Sequence, residues 1–129
     1  MFPIINLLMV AAGGAIGCCL RYGVGLIGGV SNTKGLGTFI VNVAGCFVIG
    51  ALYSLASRCE LAEYLRTFLF VGLLGGFTTF SSYALDILTM AQQGELLKAI
   101  IYFLLTNALG IIAAFVGVYL VNFMAKLIA

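Results

Sequence analysis

Residues 65–90 read LRTFLFVGLLGGFTTFSSYALDILTM, an apolar stretch with a polar middle. Gly75 and Gly76 loosen the backbone, and Thr78, Thr79, Ser81, Ser82 and Tyr83 follow with five hydroxyls within residues 75–83. Glycine costs a helix interior about 1 kcal/mol relative to alanine, so a glycine pair followed by two threonines is a natural break point. Irregular backbone at membrane depth is tolerated only where protein buries it or water lines it. A broken helix exposes carbonyls from one half and amides from the other, which is how several transport proteins build ion sites. The plainer alternative is a kink that improves packing, its hydroxyls bonded back to their own helix. The density of hydroxyls favours a functional break.

The surrounding chain explains why a membrane is invoked at all. Of 129 residues, 64% are hydrophobic and 8% charged, with a mean hydropathy of +1.24. Soluble domains carry roughly 25% charged residues, so the composition predicts an all-α integral membrane protein. A helical span needs about 20 residues, and a helix satisfies the backbone that lipid cannot. Four apolar segments fit: 4–29 (interrupted by Arg21), 38–55, 65–90 and 99–125. Between them lie SNTKG (31–35), SRCELAE (57–63) and QQGELLK (92–98). The expectation is a single domain over residues 1–129, four transmembrane helices with the third broken mid-membrane, and both termini on one side. The apolar run from Ile4 continues to Leu20, too long for the core of a cleavable signal.

Several functions are excluded early. A dispersed net charge of +2 gives no footprint for nucleic acid. The chain has no His and four acidic residues, so no nucleophile–base pair or metal-ligand cluster suggests an enzyme. Cys18, Cys19, Cys46 and Cys59 form no C-x-x-C pair and read as small hydrophobes.

Orientation is undecided by charge. Arg58, Arg66 and Lys126 fall on the face bearing the termini; Lys34 and Lys98 fall on the other, joined by Arg21 if it reaches that far. The positive-inside rule finds no bias in such a tally. Either the tally is weak evidence in so small a protein, or the chain inserts both ways round and pairs with its own inverted copy. Gly13 with Gly17 and Gly72 with Gly76 form G-x-x-x-G motifs, which suit close packing within the subunit or between subunits.

Polar residues inside the spans are the candidate site. Asn42 must face protein or water, since an unpaired amide costs several kcal/mol in lipid; it either glues two helices or offers N–H donors to an anion. Asn107 poses the same choice, with glue preferred. Tyr102, Thr106 and Gly110 share one helix face as a narrow uncharged stripe. Phe80 and Tyr83, three apart beside the break, offer ring edges to an anion or ring faces to a cation. Asp86 and Arg21 lie toward span ends, where snorkelling is common.

With these residues in view, the chain resembles the CrcB/Fluc fluoride channels of microbes over its whole length. GGAIGCCLR (13–21) is similar to the family's first-helix pattern of glycines leading to an arginine. GTFIVNVAG (37–45) resembles its asparagine-bearing second helix. GGFTTFSSY (75–83) resembles the specific third-helix signature G-G-(L/F)-T-T-F-S-(T/S)-F.

The resemblance implies a passive channel exporting cytoplasmic fluoride from a bacterial cell, multi-pass in the inner membrane. It implies an antiparallel, dual-topology homodimer in lipid, with two pores and a structural Na⁺ at the dimer centre. Main-chain carbonyls of Gly75 and Thr78 would hold that ion. The implied fluoride pathway takes in Asn42, Thr79, Phe80, Ser81, Tyr83, Tyr102 and Thr106, with Arg21 near a vestibule. Two positions depart from the pattern: Tyr83 stands where Phe is usual, adding a hydroxyl that can donate to fluoride, and Gly110 stands where Ser is frequent, removing a donor. The rivals are a small multidrug transporter, which would want a carboxylate deep in the first span, and a non-transporting assembly subunit.

Overall fold

Apolar segments that must satisfy their own backbone fold as helices, and every regular element among the described residues is helical. The computed structural model describes residues 4–128. Helix α1 is Ile4–Gly25, followed by a single turn, α2, at Gly28–Ser31. Helix α3 is Leu36–Ala56. The third stretch is composite: α4 at Glu63–Arg66, a π-helical segment at Thr67–Leu74, α5 at Gly75–Phe77 and α6 at Phe80–Gln92. Helix α7 is Leu96–Ile128.

Four stretches are long and apolar enough to cross a membrane: Ile4–Gly25, Leu36–Ala56, Glu63–Gln92 and Leu96–Ile128. The chain is therefore a multi-pass membrane protein of four spans. Helix α1 stops short of residue 29 because the Leu26 and Ile27 amides turn back onto the Gly23 and Val24 carbonyls. Gly35 then opens α3 at φ 77°, a left-handed conformation that side chains resist. The 33 residues of α7 reach about 50 Å at 1.5 Å each, which exceeds a hydrocarbon core of about 30 Å.

Small residues determine which helices touch. The two G-x-x-x-G motifs meet each other: a Cβ added at Gly13 would lie 2.5 Å from the Phe68 carbonyl oxygen and 2.8 Å from the Leu73 amide. One added at Gly76 would lie 2.6 Å from the Gly14 carbonyl, and one at Gly17 would collide with the Leu73 carbonyl. These glycines thus serve a contact inside the subunit, between α1 and the π-helical segment with α5. The same device joins α3 to α7, where Gly50 abuts the Ala114 backbone and Gly117 abuts Phe47 and Ala51. Without hydrophobic drive between helices in lipid, such backbone approach supplies the dispersion contact that holds them.

Polar ties fasten both ends of the bundle. At one end Asn122 Oδ1 accepts from Ser54 Oγ and from Arg58, both at 2.7 Å, while Asn6 donates to Glu63 at 2.8 Å. At the other, Lys34 donates to Gln93 and Tyr102 donates to Asp86. The outer surface is apolar, with Ile111, Phe115 and Tyr119 largely exposed.

Gly17→Val places a branched side chain where main chain already stands. Overpacking costs about 1–3 kcal/mol even where side chains can yield, so a markedly lower thermal midpoint in detergent is expected. Gly23→Ala, whose added Cβ meets nothing within 4 Å, is the control; equal midpoints for the two variants would refute the close-approach assignment.

Candidate functional site

The third stretch is interrupted at Thr78 and Thr79, not at the glycine pair. Gly75 and Gly76 remain helical in α5, where Gly76 lets α1 pack against bare backbone. The next two residues are extended, Thr78 at φ −83°, ψ 157° and Thr79 at φ −152°, ψ 120°. Asn42 holds this geometry from α3: its Oδ1 accepts the Thr79 amide at 2.8 Å and its Nδ2 donates to the Thr79 carbonyl at 3.0 Å. One side-chain amide thereby pairs both backbone groups of Thr79. In a continuous helix the Thr79 amide would close on the Gly75 carbonyl; here it is diverted.

Thr79 then starts the next helix. Its Oγ1 accepts from the Ser82 amide at 3.2 Å, the N-cap pattern that serines and threonines favour. That diverts the amide which would otherwise bond the Thr78 carbonyl. The interruption therefore gathers carbonyl dipoles from α5 on one side and the first-turn amides of α6 on the other.

A cavity of about 380 Å³ opens beside it, lined by Asn42, Thr78, Thr79, Phe80, Tyr83, Thr106, Asn107 and Gly110 among others. Gly75 and Cys46 also line it. Thr106 is buried, and its Oγ1 has no hydrogen-bond partner among the described residues. Phe80 is 78% exposed, a large ring left uncovered by its own chain. A second cavity, about 310 Å³, is lined by Arg21, Lys34, Thr38, Thr79, Ser82 and Asp86 among others. Thr79 is common to both.

The structure thus brings Asn42, Thr79, Phe80, Tyr83 and Thr106 to one wall system and Arg21 to the adjoining one. Tyr102 and Ser81 line neither. Tyr102 instead donates to Asp86 at 3.3 Å, and Ser81 is exposed with its hydroxyl 3.3 Å from that of Thr79.

Tyr83 differs from its expected use. The ring is buried, 5.7 Å from Phe80, 5.5 Å from Tyr102 and 6.5 Å from Phe103 between centroids. Its hydroxyl donates to the Phe103 carbonyl at 3.3 Å and accepts from Asn107 at 2.6 Å. A phenol has one proton, and here protein takes it. The hydroxyl added at this position locks α6 to α7 instead of facing an ion, with Asn107 as the glue. Ser82 was counted among the hydroxyls but not on the pathway, and Cys46 was read as a small hydrophobe; each lines one of the two cavities. Cys46 follows Asn42 by one helical turn, so the shared face was readable.

These features define a class: a four-span, all-helical membrane protein with an interrupted third stretch opening on an uncharged, largely apolar cavity that carries a few polar groups. The family model described as "CrcB-like protein, Camphor Resistance (CrcB)" matches residues 8–118. A protein of Helicobacter pylori (strain HPAG1) named "Fluoride-specific ion channel FluC" is 45% identical over 120 residues, 88% of this chain and 90% of its own length. Relatives of the same name in Parabacteroides distasonis and Salinibacter ruber are 42% and 36% identical, over 90% and 88% of this chain and 92% and 86% of their own. The chain belongs to the CrcB family.

Tyr83→Phe keeps the ring and removes the lock. A lost buried hydrogen bond costs about 1 kcal/mol, more if Asn107 is left unpaired, so a modestly lower thermal midpoint is expected. An unchanged midpoint in calorimetry would show that the hydroxyl bears no structural load.

Proposed function

We propose that the protein is a fluoride-selective passive channel, not an enzyme, that relieves fluoride toxicity by letting cytoplasmic fluoride leave across a bacterial inner membrane. The observation that carries this reading is the Asn42-held interruption at Thr78–Thr79 opening on an uncharged, donor-bearing cavity. The names of its relatives point the same way.

Fluoride holds its water tightly, so a path for it must return the lost hydrogen bonds without trapping the ion. Conduction needs entry to be favourable and exit to remain easy. Neutral donors suit that demand better than a buried ammonium. Thr106 supplies an unclaimed buried hydroxyl, whose missing bond costs about 1–3 kcal/mol until something accepts from it. Asn42 spends one of its two N–H groups on Thr79, leaving the other for the ion. The first-turn amides of α6 add partial positive charge where the two cavities meet. Arg21 and Lys34 line the adjoining cavity, and their charges gather anions at its mouth.

The working unit in this reading is two copies, one inverted, with two pores. Arg21 shares a cavity with Lys34, and Lys34 shares another with Lys98, so these three cations sit at one end. Arg58 and Arg66 share a cavity at the other end, and Arg58 bonds Asn122 of the turn preceding Lys126. Three against three gives the insertion machinery no preference. Phe80, too exposed to be finished by its own chain, would be covered by the inverted partner and offer its ring edge to that pore.

Gly75 and Thr78 suit the structural Na⁺ of this reading, since both lose their helical amide partner and hard cations take oxygen ligands. When bound, Na⁺ would neutralise converging carbonyl dipoles and raise the local potential for anions.

The test is efflux from liposomes holding only the purified protein, with fluoride and chloride measured side by side. Rapid fluoride release with chloride retained is expected, and Phe80→Ile should slow fluoride by at least about tenfold. Thr106→Val should slow it by about tenfold or less, the scale of one hydrogen-bond donor. Vesicles tight to fluoride would overturn the channel assignment.

A further inference from the structure

We infer that Cys46 is a conduction residue, its thiol supplying from α3 the donor that α7 lacks at Gly110; the inference rests on the channel reading above. Asn42 and Cys46 stand one turn apart on α3 and line the same cavity. Thr106 and Gly110, likewise one turn apart on α7, are buried and line it too. A Cβ added at Gly110 would meet a single atom within 4 Å, the Cys46 Sγ at 3.4 Å. The sulfur therefore lies in van der Waals contact with the point where a side chain at 110 would begin.

A second observation marks this region as made for a ligand. The Thr106 hydroxyl, in a residue only 8% exposed, has no protein partner. Such a group is stabilised only by something that enters the cavity. Cys46 differs from the other cysteines in its burial. Cys59 donates to the Leu55 carbonyl, Cys18 accepts from Arg21, and Cys18, Cys19 and Cys59 are all exposed on the outside of the bundle. Cys46 is half-buried and donates to no acceptor among the described residues.

The chemistry fits a passing anion. A thiol is a weaker donor than a hydroxyl and is polarisable. Next to Thr106 it lets the ion shed one partner before gaining a strong new one, which keeps exit easy.

The experiment measures fluoride efflux from liposomes of wild type, Cys46→Ser, Cys46→Ala and Cys46→Ala with Gly110→Ser. Cys46→Ala should slow efflux about three- to tenfold, as expected for one lost donor. Adding Gly110→Ser should restore the rate to within about twofold. Methyl methanethiosulfonate provides an arm that needs no mutation in the conducting protein. The Cys46 thiolate attacks the reagent's sulfenyl sulfur, a sulfur–sulfur bond forms, methanesulfinate leaves, and the thiol proton passes to buffer. The added methylthio group should block wild type and spare Cys46→Ser, which retains the other three cysteines.

An unaltered rate in Cys46→Ala, a failure of Gly110→Ser to restore it, or reagent block that persists in Cys46→Ser would overturn the inference alone. Wild-type vesicles that release no fluoride would overturn the channel reading and this inference with it.

Discussion

A single side-chain amide organises the functional half of this molecule. By accepting from the Thr79 N–H and donating to the Thr79 carbonyl, Asn42 pairs both peptide groups of a residue that lies between two helices. Both bonds are needed, because an unpaired peptide group in such surroundings costs several kcal/mol. With them in place, two extended residues persist between α5 and α6, and dipoles of opposite sign are left facing the same space. The spare carbonyl of Gly75 follows from that exchange, and the Thr79 hydroxyl, by capping α6 through the Ser82 amide, leaves the Thr78 carbonyl spare as well.

The rest of the bundle serves to hold α3 and the composite third stretch in register. Backbone-to-backbone contact at Gly13, Gly17 and Gly76 packs α1 against the π-helical segment and α5, which positions the chain entering the interruption. The Gly50 and Gly117 contacts fix α7 against α3, which brings Thr106 and Gly110 opposite Asn42 and Cys46. One polar lock forms part of the cavity wall, Tyr83 with Asn107 and Phe103, and another lies outside it, Tyr102 with Asp86. Thr106 is left open, which separates it from the hydroxyls of Tyr83 and Tyr102 that protein groups claim.

Much of this was legible in the sequence. Four apolar runs at spanning length leave few architectures once lipid removes backbone partners, and the G-x-x-x-G pairs announced close contacts. Asn42 announced itself as an amide that had to be paired. What the chain could not disclose was the partner, since Thr79 lies on another helix and only three dimensions bring them together. The interruption was expected at Gly75 and Gly76 from propensity; it falls at Thr78 and Thr79 because tertiary packing keeps the glycines helical and a remote amide rewards the threonines. The Tyr83 hydroxyl was expected to face an ion, and Phe103 and Asn107 claim it. The eight-residue π-helical segment carries no periodic signature, because i→i+5 bonding depends on how α1 packs on it and not on local residue type.

The most direct measurement is fluoride efflux from liposomes bearing Asn42→Leu at wild-type protein density, with the variant's helicity and elution in detergent recorded beside it. Leucine keeps the branching at Cγ and removes both bonds to Thr79. Efflux near the protein-free background, from a protein that still folds as a helical bundle, is the expected result. Wild-type efflux from that folded variant would contradict the claim that this one amide holds the path open.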